Sequence, residues 1–315
     1  MGPRCRPKMD AILLFKAIRG DLTFAFPGRM KILFCLNQGA GKKRRIDWRG
    51  LIQDRIGKGH DAVILELDGE AHGHIAEAIG LHRPDRVIAI GGDGTVNLLA
   101  SIIGGSPIPM GIVPAGSANG LATDLNIPND HSDALDLALK GDPGPVDAIM
   151  IGGRELCIHL ADLGLNARLI KYFDQTPSRG MLTYARLSIK VLFRKERFKV
   201  RVKTDRGEFL RSAFMVVLAN ARKYGTGATI NKQGRIDDGS FEVVFVRRFG
   251  LSDLWKAIHE KKPFDPKRIE IVSVKEVDVY MRRSVHFQVD GDHKGRINHV
   301  HAKILPGHLN IIHAL

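Results

Sequence analysis

The residues best suited to chemistry stand in one glycine-rich stretch, residues 91–97 (GGDGTVN), directly after the apolar run RVIAI. Glycines let a backbone turn tightly and approach a ligand without a Cβ in the way. Free N–H groups at the start of a following helix favour an anion, most often a phosphate. Thr95 could add a hydroxyl donor, and Asp93 places a carboxylate where a cation or an attacking hydroxyl group would lie. The stretch predicts a phosphate-binding turn, although a plain strand-to-helix turn capped by Asp93 would use the same residue types.

A second stretch of this kind occupies residues 111–122 (GIVPAGSANGLA), after the next apolar run. Gly116, Ser117 and Asn119 offer backbone donors and small polar side chains at the predicted carboxyl end of a strand. Ligands of open α/β sheets bind at that edge, so two such stretches on neighbouring βα units favour one converging phosphate site. The first stretch lacks the third glycine of a dinucleotide-binding fingerprint, and no Walker A loop occurs in the chain.

The elements that would position these stretches follow from the apolar pattern of the first half. Short apolar runs alternate there with helical stretches, which is typical of βαβ units and of a parallel sheet covered on both faces. The predicted strands are residues 31–36, 62–67, 86–90 and 110–113. The predicted helices are residues 73–80 and 97–103. The first half is therefore expected to be a doubly wound α/β domain.

The pattern changes after a turn-rich segment, residues 141–145 (GDPGP), which predicts a linker. Strand-like runs dominate from there on, at residues 148–151, 156–160, 197–203, 213–219, 241–246, 271–274, 277–281 and 284–289. Only two substantial helices interrupt them, around residues 182–193 and 251–260. This pattern predicts an antiparallel β-sandwich domain.

Composition limits the classes to which the 315-residue chain can belong. Three cysteines cannot build a disulfide framework, and Cys35, in the run KILFCL, is expected to be a reduced core thiol of a cytoplasmic protein. No apolar run reaches the ~18 residues that a membrane span needs. Residues 1–29 are a basic extension without recognisable chemistry. The net charge of +14 favours an anionic partner such as a nucleotide, a nucleic acid or a lipid headgroup.

The two glycine-rich stretches resemble the diacylglycerol kinase catalytic-domain family, which includes bacterial lipid kinases and sphingosine kinases. A weaker match after the first strand, residues 37–41 (NQGAG), precedes them in the order that this family uses. Later matches are residues 146–147 (VD), 162–166 (DLGLN), 235–240 (RIDDGS), 289–292 (VDGD) and 302–309 (AKILPGHL). The resemblance covers about residues 30 to 315 and therefore concerns nearly the whole chain.

The resemblance implies a two-domain fold that agrees with the pattern of the elements. Residues 30–145 together with 302–315 would form the doubly wound α/β domain, which binds the nucleotide. Residues 146–301 would form the antiparallel β-sandwich, which binds the lipid, and the last strand would return to the first domain. ATP would bind through the residues of the glycine-rich stretches, namely Asn37, Gly91, Gly92, Asp93, Gly94, Thr95, Val96, Asn97, Gly116, Ser117 and Asn119.

The resemblance also implies a metal site and a catalytic base. Mg²⁺ would bind at the Asp238 carboxylate, with the backbone carbonyl groups of Arg235 and Ser240 as further ligands. The catalytic carboxylate of the family, at the last position of a D-G-E motif, falls on Asp292. Because aspartate is one methylene shorter than glutamate, Asp93 is the alternative base for deprotonating the acceptor hydroxyl group.

The resulting prediction is an ATP- and Mg²⁺-dependent lipid kinase whose acceptor is a diacylglycerol-like lipid or a long-chain base. Leu98 stands where a glutamate is common in the family, and Gly120 where many members have an aspartate. Together with Asp292, these departures keep open a nucleotide- or lipid-binding protein without turnover. A soluble-substrate kinase of NAD-kinase type is the less favoured alternative, because the second stretch and the long β domain argue against it.

A basic strand in the second half predicts how the protein could meet its lipid. In residues 197–203 (RFKVRVK) four cations alternate with apolar residues, so they share one face of the strand. That face could approach an anionic membrane, or it could be an ordinary solvated surface. Nucleic acid is not an expected partner, because few aromatic residues accompany the charges. The protein is expected to be cytoplasmic and peripheral at the inner membrane face.

Overall fold

The computed structural model describes residues 29–37, 39, 46–56, 59–67, 71–164, 167–168, 196–220, 223–224, 228–229, 235–247 and 268–314. The two helices predicted around residues 182–193 and 251–260 lie outside these ranges, as does nearly all of the basic extension. The described helices are α1 (Trp48–Ile56), α2 (Ala71–His82), α3 (Asp93–Ile103), α4 (Gly120–Asp124) and α5 (His131–Lys140). None of these five helices combines the length and the apolarity that a membrane crossing requires.

A parallel sheet forms the first half, as predicted. Its strands are β1 (Lys31–Asn37), β2 (Asp61–Leu67), β3 (Arg86–Gly91) and β4 (Pro109–Pro114), and they pair in the order β2-β1-β3-β4. β3 is buried at every residue after its first, the pattern of a strand covered on both faces. Helices α3 and α5 pack against β3 and β4. The sheet therefore brings the carboxyl ends of β1, β3 and β4 to one edge.

The second half is rich in antiparallel strands, which confirms the predicted fold class. They are β5 (Pro143–Ile151), β6 (Glu155–Cys157), β7 (Leu160–Gly164), β8 (Phe198–Thr204), β9 (Gly207–Ala213), β10 (Met215–Ala219), β11 (Lys223–Tyr224), β12 (Ala228–Thr229), β13 (Phe241–Val246), β14 (Ile269–Val274), β15 (Glu276–Val289) and β16 (Asp292–Ile312). A core of its own, with Phe241, Phe245 and Phe287 among its members, lies between them.

The last strand joins the two halves, as the resemblance implied. β16 pairs antiparallel with β15 along its first part and with β5 along its second. Its end then pairs in parallel with β4, through Asn310 opposite Pro109 and Ile311 opposite Met110. Fourteen of the described strands consequently belong to one hydrogen-bonded sheet.

Several details of the predicted elements are wrong; the runs 156–160 and 213–219, for example, each divide between two strands. Helix α3 begins at Asp93 rather than at residue 97, because the Gly92 carbonyl already accepts the N–H groups of Thr95 and Val96. The predicted linker is partly strand, since β5 begins at Pro143. That end of β5 pairs only with β16 in the described part of the sheet, and an edge position tolerates a proline without an N–H group. Residues 277–281 and 284–289 belong to one strand, β15, with a register shift between Tyr280 and Val285.

Candidate active site

The first glycine-rich turn connects β3 to α3. Gly91 is buried, and a Cβ built on it would lie 2.3 Å from Thr95 Oγ1, so this position admits only glycine. Gly94 is exposed, and a Cβ built there would meet no atom within 4 Å. Because the first N–H groups of a helix have no partner within that helix, the exposed start of α3 can receive an anion. The glycine at position 94 is not required by packing, which is consistent with a ligand approaching there.

The second turn lies directly against the first. A Cβ built on Gly116 would lie 2.4 Å from the Cα atom of Gly92, and the Ala115 N–H group donates to the Gly91 carbonyl at 2.8 Å. Ser117 is exposed beside this contact. The two predicted phosphate stretches therefore converge at the carboxyl ends of neighbouring strands β3 and β4.

Asn119 braces its own turn. Its Oδ1 atom accepts the Gly116 N–H group at 2.9 Å, and its Nδ2 atom donates to the Gly116 carbonyl at 3.1 Å. The residue adopts a left-handed backbone with φ of +50°, which asparagine tolerates better than most residues. Asn119 thus shapes the loop that presents Ser117.

Asn37 joins the same edge from the end of β1. Its Nδ2 atom donates to Thr95 Oγ1 at 3.2 Å, and its Oδ1 atom accepts the Gly39 N–H group at 2.9 Å. Thr95 and Val96 are 5% and 4% exposed, so their side chains pack inward, and their N–H groups already donate to the Gly92 carbonyl. Asn97 is different, because its buried Oδ1 atom has no hydrogen-bond partner among the residues that the structure describes.

The predicted metal turn lies against β5. Buried Asp147 accepts the N–H groups of Gly239 and Gly307, each at 2.7 Å, and so fixes the turn to β16 as well. Asp238 is exposed and accepts the Ser240 N–H group at 3.0 Å. The Arg235 side chain pairs instead with Asp237. The hydrogen bond from the guanidinium group holds the pKa of Asp237 below its ordinary value.

The donor set of this turn suits magnesium. One carboxylate with backbone carbonyl groups supplies the hard oxygen ligands that Mg²⁺ accepts in proteins. Within the described ranges, no group of three or more His, Cys, Asp or Glu side chains could hold a metal ion. Any site here therefore rests on Asp238, on the carbonyl groups of Arg235 and Ser240, and on water or substrate oxygens. No hydrogen bond between described residues links this turn to residues 91–97.

The two carboxylates of the VDGD turn have different surroundings. Asp290 accepts the N–H groups of Ile158, His159 and Leu160 at 2.8–3.0 Å. Burial raises its pKa above the ordinary value, although these donors oppose the shift. Asp292 is exposed at the start of β16. No hydrogen bond or ion pair between described residues connects Asp292 to Asp93, the other predicted base.

Comparisons with known proteins agree with this arrangement. The model of the diacylglycerol kinase catalytic domain matches residues 31–151, and that of the YegS C-terminal NAD kinase beta sandwich-like domain matches residues 160–313. A probable lipid kinase YegS-like of Chromohalobacter salexigens is 30% identical over 237 residues, or 71% of this chain and 74% of that protein. The chain belongs to the diacylglycerol kinase family of lipid kinases.

Other relatives of this lipid kinase cover different shares of the chain. A probable lipid kinase YegS-like of Pectobacterium atrosepticum is 33% identical over 56% of this chain and 60% of that protein. One of Citrobacter koseri is 28% identical over 90% of this chain and 95% of that protein. The crystal structure of a diacylglycerol kinase from Bacillus anthracis has the same fold, with a TM-score of 0.66 at 20% identity over 90% of this chain and 97% of that chain.

Sequence reasoning missed one feature of the lipid kinase, a buried histidine with three carboxylates in its electrostatic surroundings. His159, between β6 and β7, has its Nε2 atom 3.4 Å from Asp124 Oδ2 at the end of α4. Burial alone lowers the pKa of His159, but Asp124, Asp290 and Asp93 together raise it above its ordinary value. The sequence signal was weak, since a histidine inside an apolar run usually packs without a role. Only the fold brings these side chains together.

Proposed function

We propose that the protein transfers the γ-phosphoryl group of ATP, with Mg²⁺, to the hydroxyl group of a diacylglycerol-like or long-chain-base lipid. The observation that carries the proposal is the contact between Gly92 and Gly116, which brings the two glycine turns together at the edge where the nucleotide phosphates would bind. Membership of the lipid kinase family supports a phosphorylated lipid as the product. The acceptor class, the nucleotide and the metal are parts of the proposal.

The residues of the edge would hold the nucleotide phosphates. The first N–H groups of α3, which have no partner within the helix, would donate to phosphate oxygens, and Ser117 would add a hydroxyl donor from the second turn. Asp238, with the carbonyl groups of Arg235 and Ser240, would hold Mg²⁺, which when bound neutralises charge on phosphate oxygens. Catalysis of phosphoryl transfer is mostly such positioning and charge neutralisation.

A carboxylate must take the proton of the acceptor hydroxyl group. Asp292 or Asp93 would accept it while the hydroxyl oxygen forms its bond to the γ-phosphorus and the bond from that phosphorus to the β-phosphate oxygen breaks, leaving ADP. Asp292 is exposed and free of ion pairs with described residues, so it is open to a lipid that arrives from outside. Asp93 lies at the phosphate turn itself.

The lipid would be reached at an anionic membrane surface. Lys199, Arg201 and Lys203 are exposed on one face of β8, whereas Phe198, Val200 and Val202 are buried, as the alternation predicts. Leu210, opposite Arg201 on β9, is 71% exposed. Each basic residue near an anionic membrane contributes about 1 kcal/mol to binding. This basic face supports peripheral attachment at the inner, cytoplasmic face of the membrane.

The proposal is tested by transfer of labelled phosphate from γ-labelled ATP into a mixed lipid extract, in the presence of Mg²⁺. The wild type should label one lipid. At least one of the two single variants, Asp292→Asn and Asp93→Asn, should abolish the label. Asp205→Asn, at an exposed hairpin tip, is the control and should behave as the wild type. ATP binding without any labelled lipid would instead favour a binding protein without turnover, the alternative that Leu98 and Gly120 keep open. Labelled NADP formed from NAD would favour a soluble-substrate kinase.

A further inference from the structure

A buried histidine–aspartate pair connects the two halves of the protein behind the phosphate turns. The side chains of His159 and Asp124 are 11% and 4% exposed, and Nε2 lies 3.4 Å from Oδ2. An attraction between two buried groups is screened by water and salt much less than one at the surface. The pair therefore fixes α4 of the first half against the β6–β7 connection of the second.

The backbone of His159 is held on both sides. Its N–H group donates to Asp290 Oδ1 at 3.0 Å, and its carbonyl accepts the Asn220 N–H group at 3.0 Å. Asp290 also accepts the neighbouring N–H groups and stands two residues before Asp292. The imidazole thus belongs to a segment that is tied to the VDGD turn, where one predicted base lies.

Asp124 is tied in the same way to the second phosphate turn. α4 has only five residues, and it begins directly after Asn119. The Asn119 carbonyl accepts both the N–H group of Thr123, at 3.0 Å, and its hydroxyl group, at 2.9 Å. Asn119 in turn braces Gly116 through both atoms of its amide. A displacement of Asp124 would consequently move the loop that presents Ser117.

We propose that protonated His159 is a positioning residue that holds Asp124, and through α4 the turn of residues 116–119, in register with the segment carrying Asp292. Loss of its proton would weaken its attraction for Asp124 and loosen the second phosphate turn. The link between His159 and the turn does not depend on the reaction. Its consequence for nucleotide binding rests on the proposed function.

Three carboxylates act electrostatically on the imidazole of His159, each from a different element. They are Asp124 on α4, Asp290 in the turn between β15 and β16, and Asp93 at the start of α3. Since they hold the folded pKa of His159 above its unfolded value, the stabilisation that they give is fully present below the unfolded pKa. It is lost as the pH rises through the folded pKa.

The link is tested by NMR titration of the whole protein without nucleotide. The Gly116 and Ser117 amide resonances should follow the titration of the His159 ring in the wild type. Asp124→Asn should lower the pKa of His159 and uncouple the two signals. Asp278→Asn is the matched control, because Asp278 pairs with His299 at 2.7 Å on an exposed face; it should change neither. If the Gly116 and Ser117 amide shifts do not change as the His159 ring titrates, the proposal is wrong. This part of the test uses the wild type alone and therefore does not depend on the folding of a variant.

The consequence is tested by the pH dependence of the KM for ATP. In the wild type this KM should rise about tenfold as the pH passes the pKa of His159, a common size for coupling between linked sites. In Asp124→Asn and His159→Gln it should be raised at every pH, with a smaller change in kcat. A wild-type KM independent of pH would contradict the proposal. Absence of any phosphoryl transfer alongside coupled NMR titrations would reject the proposed function and still support the link.

Discussion

Replacing Gly94 by alanine should separate ligand binding from folding at the first phosphate turn. A Cβ there meets no atom within 4 Å, and the residue lies in the first turn of α3. Alanine favours a helix over glycine by up to ~1 kcal/mol, so the free energy of unfolding should be unchanged or slightly higher. Nucleotide affinity should nevertheless fall about tenfold or more, equivalent to at least ~1.4 kcal/mol, because the methyl group occupies the exposed face that an anion would approach.

The two quantities are measured by urea unfolding and by titration with a fluorescent ATP analogue. Gly73→Ala and Gly80→Ala are matched controls, since both glycines lie in α2 with equally open surroundings, and neither should change nucleotide affinity. Gly116→Ala should instead lower both the nucleotide affinity and the free energy of unfolding, the latter by about 1–3 kcal/mol. The reason is that its Cβ would lie 2.4 Å from the Cα atom of Gly92. A stable Gly94→Ala variant that binds nucleotide like the wild type would refute a phosphate site at this turn.

Three further predictions concern residues away from the glycine turns. Asp147→Asn should weaken Mg²⁺ binding in a metal titration and lower the free energy of unfolding by about 1–3 kcal/mol, because it disturbs two hydrogen bonds from N–H groups to a buried carboxylate. Burial raises the pKa of the Cys35 thiol to about 12, so mass spectrometry should find it unmodified by iodoacetamide until the protein unfolds. Hydrogen bonding to Arg211 holds the pKa of Glu270 below its ordinary value, so its stabilisation is lost as the pH falls through the folded pKa. Thermal unfolding of Glu270→Gln should consequently depend less on acid than that of the wild type.

The fold class and the convergence of the two glycine turns could be predicted because their signals are local. Glycine turns after buried strands are written in consecutive residues, and parallel strands place those turns at one edge without further information. The structure confirms the fold class and brings residues 91–97, residues 116–119 and Asn37 together. The metal site at residues 235–240 stays a prediction. The sequence shows this turn as a short motif but not its support by Asp147, which depends on hydrogen bonds across 92 and 160 residues.

The features that could not be predicted depend on contacts between distant segments. β16 was expected only over residues 302–309, yet it spans Asp292–Ile312. Its Pro306-Gly307 step looks like a break, but a register shift between Leu305 and Leu309 absorbs it, and the Gly307 N–H group bonds to Asp147. The His159–Asp124 contact forms only when the two halves of the protein pack together, so it cannot be predicted from the spacing of residues in the sequence.

The VDGD turn shows how two carboxylates of one motif acquire different tasks. Three N–H donors and burial make Asp290 a structural anchor, and any change there would release the 158–160 segment. Asp292 is exposed and accepts no such hydrogen bonds from the described residues, so its side chain would be available to the acceptor hydroxyl group of the proposed reaction. The backbone turns sharply at Asp290 and Gly291, which have φ values of +46° and +92°. This turn places the side chains of Asp290 and Asp292 in different surroundings. A loss of activity in Asp292→Asn can therefore be attributed to chemistry, whereas a loss in Asp290→Asn could not.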